Sequence, residues 1–247
     1  MNPPAATTAS PTPALRTRIK ICGLTREADV DAAVAAGVDA IGFVRYPGSP
    51  RHVDIERAAA LARRLPPLVT PVLLYVNAKT TEIIADSAFL VGAIVQFHGD
   101  ETPADCEHAT AACDRPYWRA ARIPANPAAG FDLLKFARAF ASAQALLLDA
   151  HVDGYGGSGK TFDWSLLPPN VPAHLVLSGG LTPANVSDGL RLLRGRGLSL
   201  AVDVSSGVEA TGPDGQPMKG IKDAAKIHQF VAAVRAADAL FAEHRDS

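Results

Sequence analysis

Residues Leu146 to Trp164 read LLLDAHVDGYGGSGKTFDW, and the fold depends on how this stretch is parsed. Ala145 to Leu148 form a short apolar run of the kind that makes a buried strand. Asp149 ends the run, and Gly154, Gly156, Gly157 and Gly159 follow. Glycines let a backbone approach a ligand closely and turn its N–H groups toward an anion. One reading is a strand ending in an acid beside a loop suited to phosphate. The bland alternative is a glycine-rich surface turn. Gly154 to Thr161 (GYGGSGKT) also satisfies GxxxxGK[ST], the pattern of a nucleotide-binding P-loop. Such a loop joins a strand directly to a long helix. Here Phe162 to Pro169 (FDWSLLPP) stops any helix early, which argues against it.

Outward from this stretch the chain alternates between strand and helix patterns. Upstream, strands are expected at Arg18–Cys22, Ala40–Val44, Val69–Val76, Ala93–Phe97 and Tyr117–Ile123, with the sixth at Ala145–Asp149. Downstream they are expected at Leu175–Leu177 and Leu198–Val204. Helices fill the gaps. Thr25 is expected to cap the first, Asp54 the second, and Thr182-Pro183 to open the one after strand seven. A last helix is expected from Lys222 to Phe241, with Ile227, Phe230, Val231 and Val234 on one face. Strands alternating with helices imply right-handed crossovers and a parallel sheet. Eight such units in one chain of 247 residues imply a single α/β domain, a closed (β/α)8 TIM barrel. An open doubly wound sheet is the runner-up. It is disfavoured because no GxGxxG follows the first strand and polar residues end nearly every strand.

Composition narrows the function classes. The net charge is -1, with 20% charged residues, so there is no electrostatic footprint for nucleic acid or an anionic membrane. No apolar run is long enough to span a bilayer. Cys22, Cys106 and Cys113 form no CxxC pair and no metal spacing, which suits a reducing cytoplasm. No metal and no cofactor are expected. Residues 1–17, rich in Pro, Ala and Thr, read as a disordered extension, and 18–247 as the barrel. A monomer or a homodimer fits equally.

In a barrel of this kind the C-terminal strand ends share one face, where function sits. Two late loops there are rich in small residues: Ser178-Gly179-Gly180 and Ser205-Ser206-Gly207. They are candidates for a phosphate cradle, with Gly157 a further candidate in the earlier glycine loop. Cys22 and Asp149 end opposite strands and form a possible acid/base pair across the mouth. Alternation puts Lys20 on the face of Cys22. Asp203 is a candidate partner for Lys20 or for ligand, the former being a structural ion pair. Arg51, in the rigid Ser49-Pro50-Arg51 loop, is a candidate carboxylate clamp. His98 and Arg122 are candidate ligand contacts, each with an ordinary loop or strand-end role as the alternative.

The segments KICGLT (Lys20–Thr25), SPRHV (Ser49–Val53), VQFHGDE (Val95–Glu101), LLLD with GYGGSGKTFDW, LSGGLTPANV and DVSSGVE (Asp203–Glu209) together resemble phosphoribosylanthranilate isomerase. The resemblance runs from about Arg18 to the final helix. It implies a barrel of the ribulose-phosphate-binding type and an Amadori rearrangement of N-(5-phosphoribosyl)anthranilate in tryptophan biosynthesis. By the same resemblance Cys22 is the general base, Asp149 the general acid and Arg51 the substrate-carboxylate ligand, with phosphate on the two small-residue loops. An apolar lumen is expected to favour a protonated Asp149, and Lys20 to favour the Cys22 thiolate. Phe97 and Arg45 depart from the family's usual residues. Two other readings are an indole-glycerol-phosphate synthase, which wants more lumen lysines than Lys20, and a non-catalytic phosphosugar-binding barrel, which needs neither Cys22 nor Asp149.

Overall fold

A computed structural model describes residues 16–124, 126, 130–151 and 163–243. The residues up to 15 and the glycine loop with Gly157 and Lys160 lie outside the described residues. Eight strands, β1 (Arg18–Cys22), β2 (Ala40–Val44), β3 (Thr70–Tyr75), β4 (Ile94–Phe97), β5 (Tyr117–Pro124), β6 (Ala145–His151), β7 (His174–Leu177) and β8 (Ser199–Val204), form a closed barrel in sequence order. All eight neighbouring pairs are parallel, β8 pairing back onto β1. The helices are α1 (Glu27–Ala36), α2 (Ile55–Ala62), α3 (Thr80–Phe89), α4 (Pro103–Cys113), α5 (Leu133–Ala139), α6 (Val186–Leu193) and α7 (Ala224–Glu243). Between β6 and β7 the described residues hold only a short 3-10 turn, Trp164–Leu166.

Alternation along each strand separates two kinds of interior. Outward residues such as Ile19, Ile21, Ile41, Phe43, Leu73 and Tyr75 join the helix faces, including Ile227, Phe230 and Val234 of α7, in one large cluster. Inward residues form smaller clusters within the lumen. Ala40, Val72 and Ile94 make one, Ala120, Ala145, Leu147 and Val176 another, and Trp118 packs against both. Above them Cys22, Val44, Leu74 and Val76 line the mouth. The lumen is thus filled below and open only where the strands end.

Three local expectations change. Thr25 does not cap α1; its hydroxyl donates to the Gly220 carbonyl at 2.7 Å, and Arg26 takes the N-cap position. Helix α6 begins at Val186 rather than at Thr182-Pro183. Asn185 is the reason: its Oδ1 accepts from the Thr182 N–H and its amide donates to the Gly180 carbonyl, a local structure that competes with helix. Lys222 ends a strand instead of opening the last helix. Glu209–Thr211 (β9) and Pro217–Lys222 (β10) form an antiparallel hairpin over the barrel mouth, turning at Gly212 to Gly215. The Asp-Gly pair at 214–215 is the hairpin signal, with Gly215 at φ 78°.

Thr17 belongs to the packed chain. Thr17 is buried, and its N–H and hydroxyl both donate to Asp238 on α7. Arg194 and Arg235 also reach Asp238. This cluster ties the entry of β1 to the last helix.

Phe230 of α7 is fully buried in the large cluster. Phe230→Ala is expected to cost about 3–5 kcal/mol through lost burial and a residual cavity. Urea unfolding followed by circular dichroism would show this as a lower midpoint with an unchanged slope.

Candidate active site

Parallel register assembles the site. Cys22 at the end of β1 lies beside Gly42 of β2, and Lys20 lies beside Asp203 of β8. Residues in register on parallel strands point the same way. A Cβ on Gly42 would stand 2.7 Å from Cys22 Sγ and 3.0 Å from Lys20 Nζ, so glycine leaves room for both side chains. Lys20 Nζ donates to Asp203 Oδ1 at 2.8 Å, with both side chains buried. Ser178 Oγ, from the end of β7, donates to Asp203 Oδ2 at 3.4 Å. The structural ion pair is therefore present, and Asp203 also borders the cavity.

That cavity gathers most of the candidates. Cys22, Arg51, His98, Asp149, Gly179, Gly180, Asp203 and Ser206 all line it, together with Tyr46 and the apolar Val44, Leu74 and Val76. Asp149 on β6 and Cys22 on β1 face it from strands far apart around the barrel. His98 follows β4 and approaches the acid directly: its Nε2 lies 2.8 Å from Asp149 Oδ2. His98 thus stands behind a carboxyl group as well as at the cavity wall.

The two small-residue loops meet at one side. Gly179 and Gly180 have φ values of 74° and 66°, a backbone that residues with a Cβ rarely adopt. At Gly179 a Cβ would also sit 2.6 Å from the Ala150 nitrogen. Gly207 does not line the cavity. A Cβ there would fall 1.9 Å from the Leu181 carbonyl, so its role is to let the two loops touch. Gly157 lies outside the described residues.

Arg122 is not among the cavity-lining residues. Its guanidinium turns onto Asp100, with Nη1 3.0 Å from Oδ1, because that carboxylate is within reach of the rim. Arg51 is buried, not an ordinary surface arginine, and it already holds a carboxylate. Nε and Nη2 form a bidentate pair with Glu209 at 2.6 and 2.8 Å. Nη1 has no partner among the described residues.

Glu209 and Lys222 of the hairpin are functional neighbours that motif reading alone did not single out. Glu209 also accepts from the Gly220 N–H at 2.9 Å and from Lys222 Nζ at 3.2 Å. Lys222 Nζ donates to Ser205 O at 2.9 Å, securing the second loop from below. Burial pushes the Glu209 carboxyl up, but Arg51, Lys222 and the Gly220 N–H outweigh it and leave it below its ordinary value. Burial pushes the Lys222 ammonium down, against the pull of Glu209. The available signal for Glu209 was its place in the DVSSGVE segment. Gln96 was missed as well; a lone amide in the apolar β4, two residues before His98, was its signal.

Lys20 was expected to favour a thiolate at Cys22. The net shift runs the other way. Burial, the largest effect, pushes the thiol up; the Lys20 ammonium pulls it down, and Asp203 pushes it up again. Burial thus favours the thiol form of Cys22. Among the described residues no cluster of three or more His, Cys, Asp or Glu could hold a metal ion, and no helix is long and apolar enough to cross a membrane.

Comparison with known proteins agrees on one family. Residues 19–233 match the family model described as N-(5'phosphoribosyl)anthranilate (PRA) isomerase. The N-(5'-phosphoribosyl)anthranilate isomerase of Methylibium petroleiphilum is 61% identical over 91% of this chain and 97% of its own length. The crystal structure of phosphoribosyl anthranilate isomerase from Thermotoga maritima superposes with a TM-score of 0.72 at 35% identity, covering 89% of this chain and 99% of that one. A crystal structure of such an isomerase in complex with reduced 1-(o-carboxyphenylamino)-1-deoxyribulose 5-phosphate gives 0.69 at 32% identity, with the same coverage.

The upward push on Cys22 has a measurable sign. A raised thiol is less ionised at any given pH, so alkylation of Cys22 in the unliganded protein should rise with a midpoint above the ordinary thiol value of ~8.5. Peptide mass spectrometry after iodoacetamide pulses across pH would read the midpoint. A midpoint below that value would remove the dominance of burial.

Proposed function

The chain belongs to the N-(5'-phosphoribosyl)anthranilate isomerase family, and we propose that its barrel mouth isomerises N-(5-phosphoribosyl)anthranilate by an Amadori rearrangement with Asp149 as general acid and Cys22 as general base. The observation that carries this reading is that both groups line one cavity from distant strands, with the Gly179-Gly180 and Ser206 loops at the same mouth.

The product is 1-(2-carboxyphenylamino)-1-deoxyribulose 5-phosphate, and the chemistry divides between the two sides. Asp149 gives its proton to the furanose ring oxygen, and the ring C–O bond breaks. The anthranilate nitrogen supplies the electron pair and becomes a protonated Schiff base. That cation acidifies the neighbouring C2–H, which the Cys22 thiolate removes to give an enolamine. Tautomerisation to the ketone completes the isomerisation, with no net change of atoms or electrons. Each positioned proton transfer is worth roughly 10²- to 10⁴-fold.

The raised Cys22 thiol fits this order of events. A free carboxyl and a free thiol titrate near ~3.9 and ~8.5, the reverse of what an acid and a base require at neutral pH. Burial and Asp203 push the Cys22 thiol up. Ring opening then places a cation in the same cavity, and a nearby positive charge favours the thiolate, the Sγ proton leaving to water. The base is thereby generated in the same step that creates its substrate proton. Arg51, with Nε and Nη2 fixed on Glu209, offers Nη1 to the anthranilate carboxylate. The backbone of the two small-residue loops takes the phosphate, as helix starts and left-handed glycines do for anions.

Cys22→Ser and Asp149→Asn are each expected to lower kcat by at least ~10²-fold while substrate binding persists. Steady-state fluorescence assays with phosphoribosylanthranilate, with the product identified by mass spectrometry, check this; near-normal turnover in either variant removes that residue's role. Arg51→Met should chiefly raise KM, and an unaltered KM would remove the carboxylate contact. It also leaves Glu209 with Lys222 as its remaining cation, so circular dichroism must accompany the kinetics.

A further inference from the structure

The mechanism uses Asp149 and not the chain of groups behind it. His98 Nε2 lies 2.8 Å from Asp149 Oδ2, and Gln96 Nε2 lies 3.2 Å from His98 Nδ1. Gln96 is fully buried in β4, and Gln96 Oε1 has no partner among the described residues. A carboxamide nitrogen only donates. His98 Nδ1 therefore accepts and carries no proton, so the imidazole proton sits on Nε2 and is donated to Asp149. Turning the amide over would leave its two N–H groups where the carbonyl now lies without a partner. Orphaned buried N–H groups are rarer than under-satisfied carbonyls, which favours the orientation with the nitrogen on His98.

We propose that Gln96 is a positioning residue that locks His98 as the neutral Nε2–H tautomer and so keeps an imidazolium from forming beside Asp149. This rests on Asp149 acting as the acid. An amide N–H pointed at Nδ1 opposes a second proton there. With His98 neutral, Asp149 Oδ2 accepts one hydrogen bond and Oδ1 is left to carry the proton for the ring oxygen. An imidazolium in the same place would add a full positive charge at hydrogen-bond distance. An opposite charge that close holds a carboxyl ionised, and an ionised Asp149 has no proton to give.

The other charged groups do not perform this task. Lys20 on β1 is bonded to Asp203 of β8. Arg51, after β2, and Lys222 of the hairpin share Glu209. Arg119 on β5 donates to the Phe97 and Gly99 carbonyls and pairs with Glu101, and Arg122 pairs with Asp100. Cys22 is held as a thiol. Gln96 is the group that addresses the far nitrogen of His98.

The test combines nitrogen NMR with a pH profile on the full chain. In protein labelled with ¹⁵N-histidine, with the signal assigned by a His98→Asn variant, His98 should show a bare Nδ1 and a protonated Nε2. A protonated Nδ1 with a bare Nε2 overturns the proposal. Gln96→Glu puts a carboxylate against Nδ1 and should protonate both nitrogens. The alkaline limb of its kcat profile should then move down by about one to three pH units, with KM changed less than about threefold. A profile that superimposes on the parent overturns the proposal, because a merely structural amide would not move it. Gln96→Met, which buries no charge, covers the case in which the glutamate variant does not fold. It should release the lock, so both His98 tautomers appear; a single unchanged tautomer also overturns the proposal. The tautomer signals do not depend on turnover. An active Asp149→Asn enzyme would therefore refute the acid while leaving the His98 assignment to be judged separately.

Discussion

The buried Lys20–Asp203 pair is the constraint around which the mouth of the barrel is built. It sits where the last strand closes onto the first, with the two residues in direct register. Removing one partner of such a pair typically costs about 3–5 kcal/mol, because the other charge is left buried and alone. Burial pushes the Lys20 ammonium down, but Asp203 and Cys22 outweigh it and leave it raised. The alignment of β1 on β8 is then tied to an electrostatic condition as well as to backbone hydrogen bonds. Cys22, two residues on, inherits its position from that alignment, and Gly42 supplies the space it needs.

A second charged tier lies above the first. The hairpin after β8 brings Glu209 under Arg51 and Lys222 under the Ser205 carbonyl. One carboxylate thereby fixes an arginine from the β2 loop and a lysine from the hairpin. The two tiers share a logic. Each places a cation close to Cys22 or at the cavity, and each satisfies that cation with an internal carboxylate. Fixed charges of this kind need little reorganisation when charge develops in a reaction. The same arrangement explains why Lys20 does not leave Cys22 ionised at rest. Asp203 offsets it, and burial decides the sign.

The Asp149 side is organised differently. Asp149 is backed by a hydrogen-bonded chain, Gln96 to His98. Asp149 and Cys22 therefore stand in contrasting surroundings across one cavity. That contrast follows from which strands meet at each side: β4 delivers an amide and an imidazole, and β1 with β8 delivers a lysine and an aspartate.

Most of the fold was legible in sequence because its signals are local. Apolar runs of strand length, helical spacing between them, and Asp54 as a cap depend only on near neighbours, and Asp54 does accept from the Arg57 N–H. Eight repeats of that pattern leave closure as the compact solution. The misread boundaries were equally local but involved competition. Thr25 found a carbonyl in the hairpin, and Asn185 satisfied backbone groups that helix α6 would otherwise have used. Asp149 lies two residues inside β6, which runs on to His151, but the placing of Cys22 and the two small-residue loops at strand ends came from the chain alone. Their partners did not. Whether Arg51 meets Glu209 or solvent, whether Arg122 faces the lumen or Asp100, and whether burial outweighs Lys20 at Cys22 depend on distances between residues far apart in sequence. Hydrogen bonds act over about 3 Å, and desolvation depends on everything that excludes water. Only the closed barrel brings those residues within that range and sets how dry each one is.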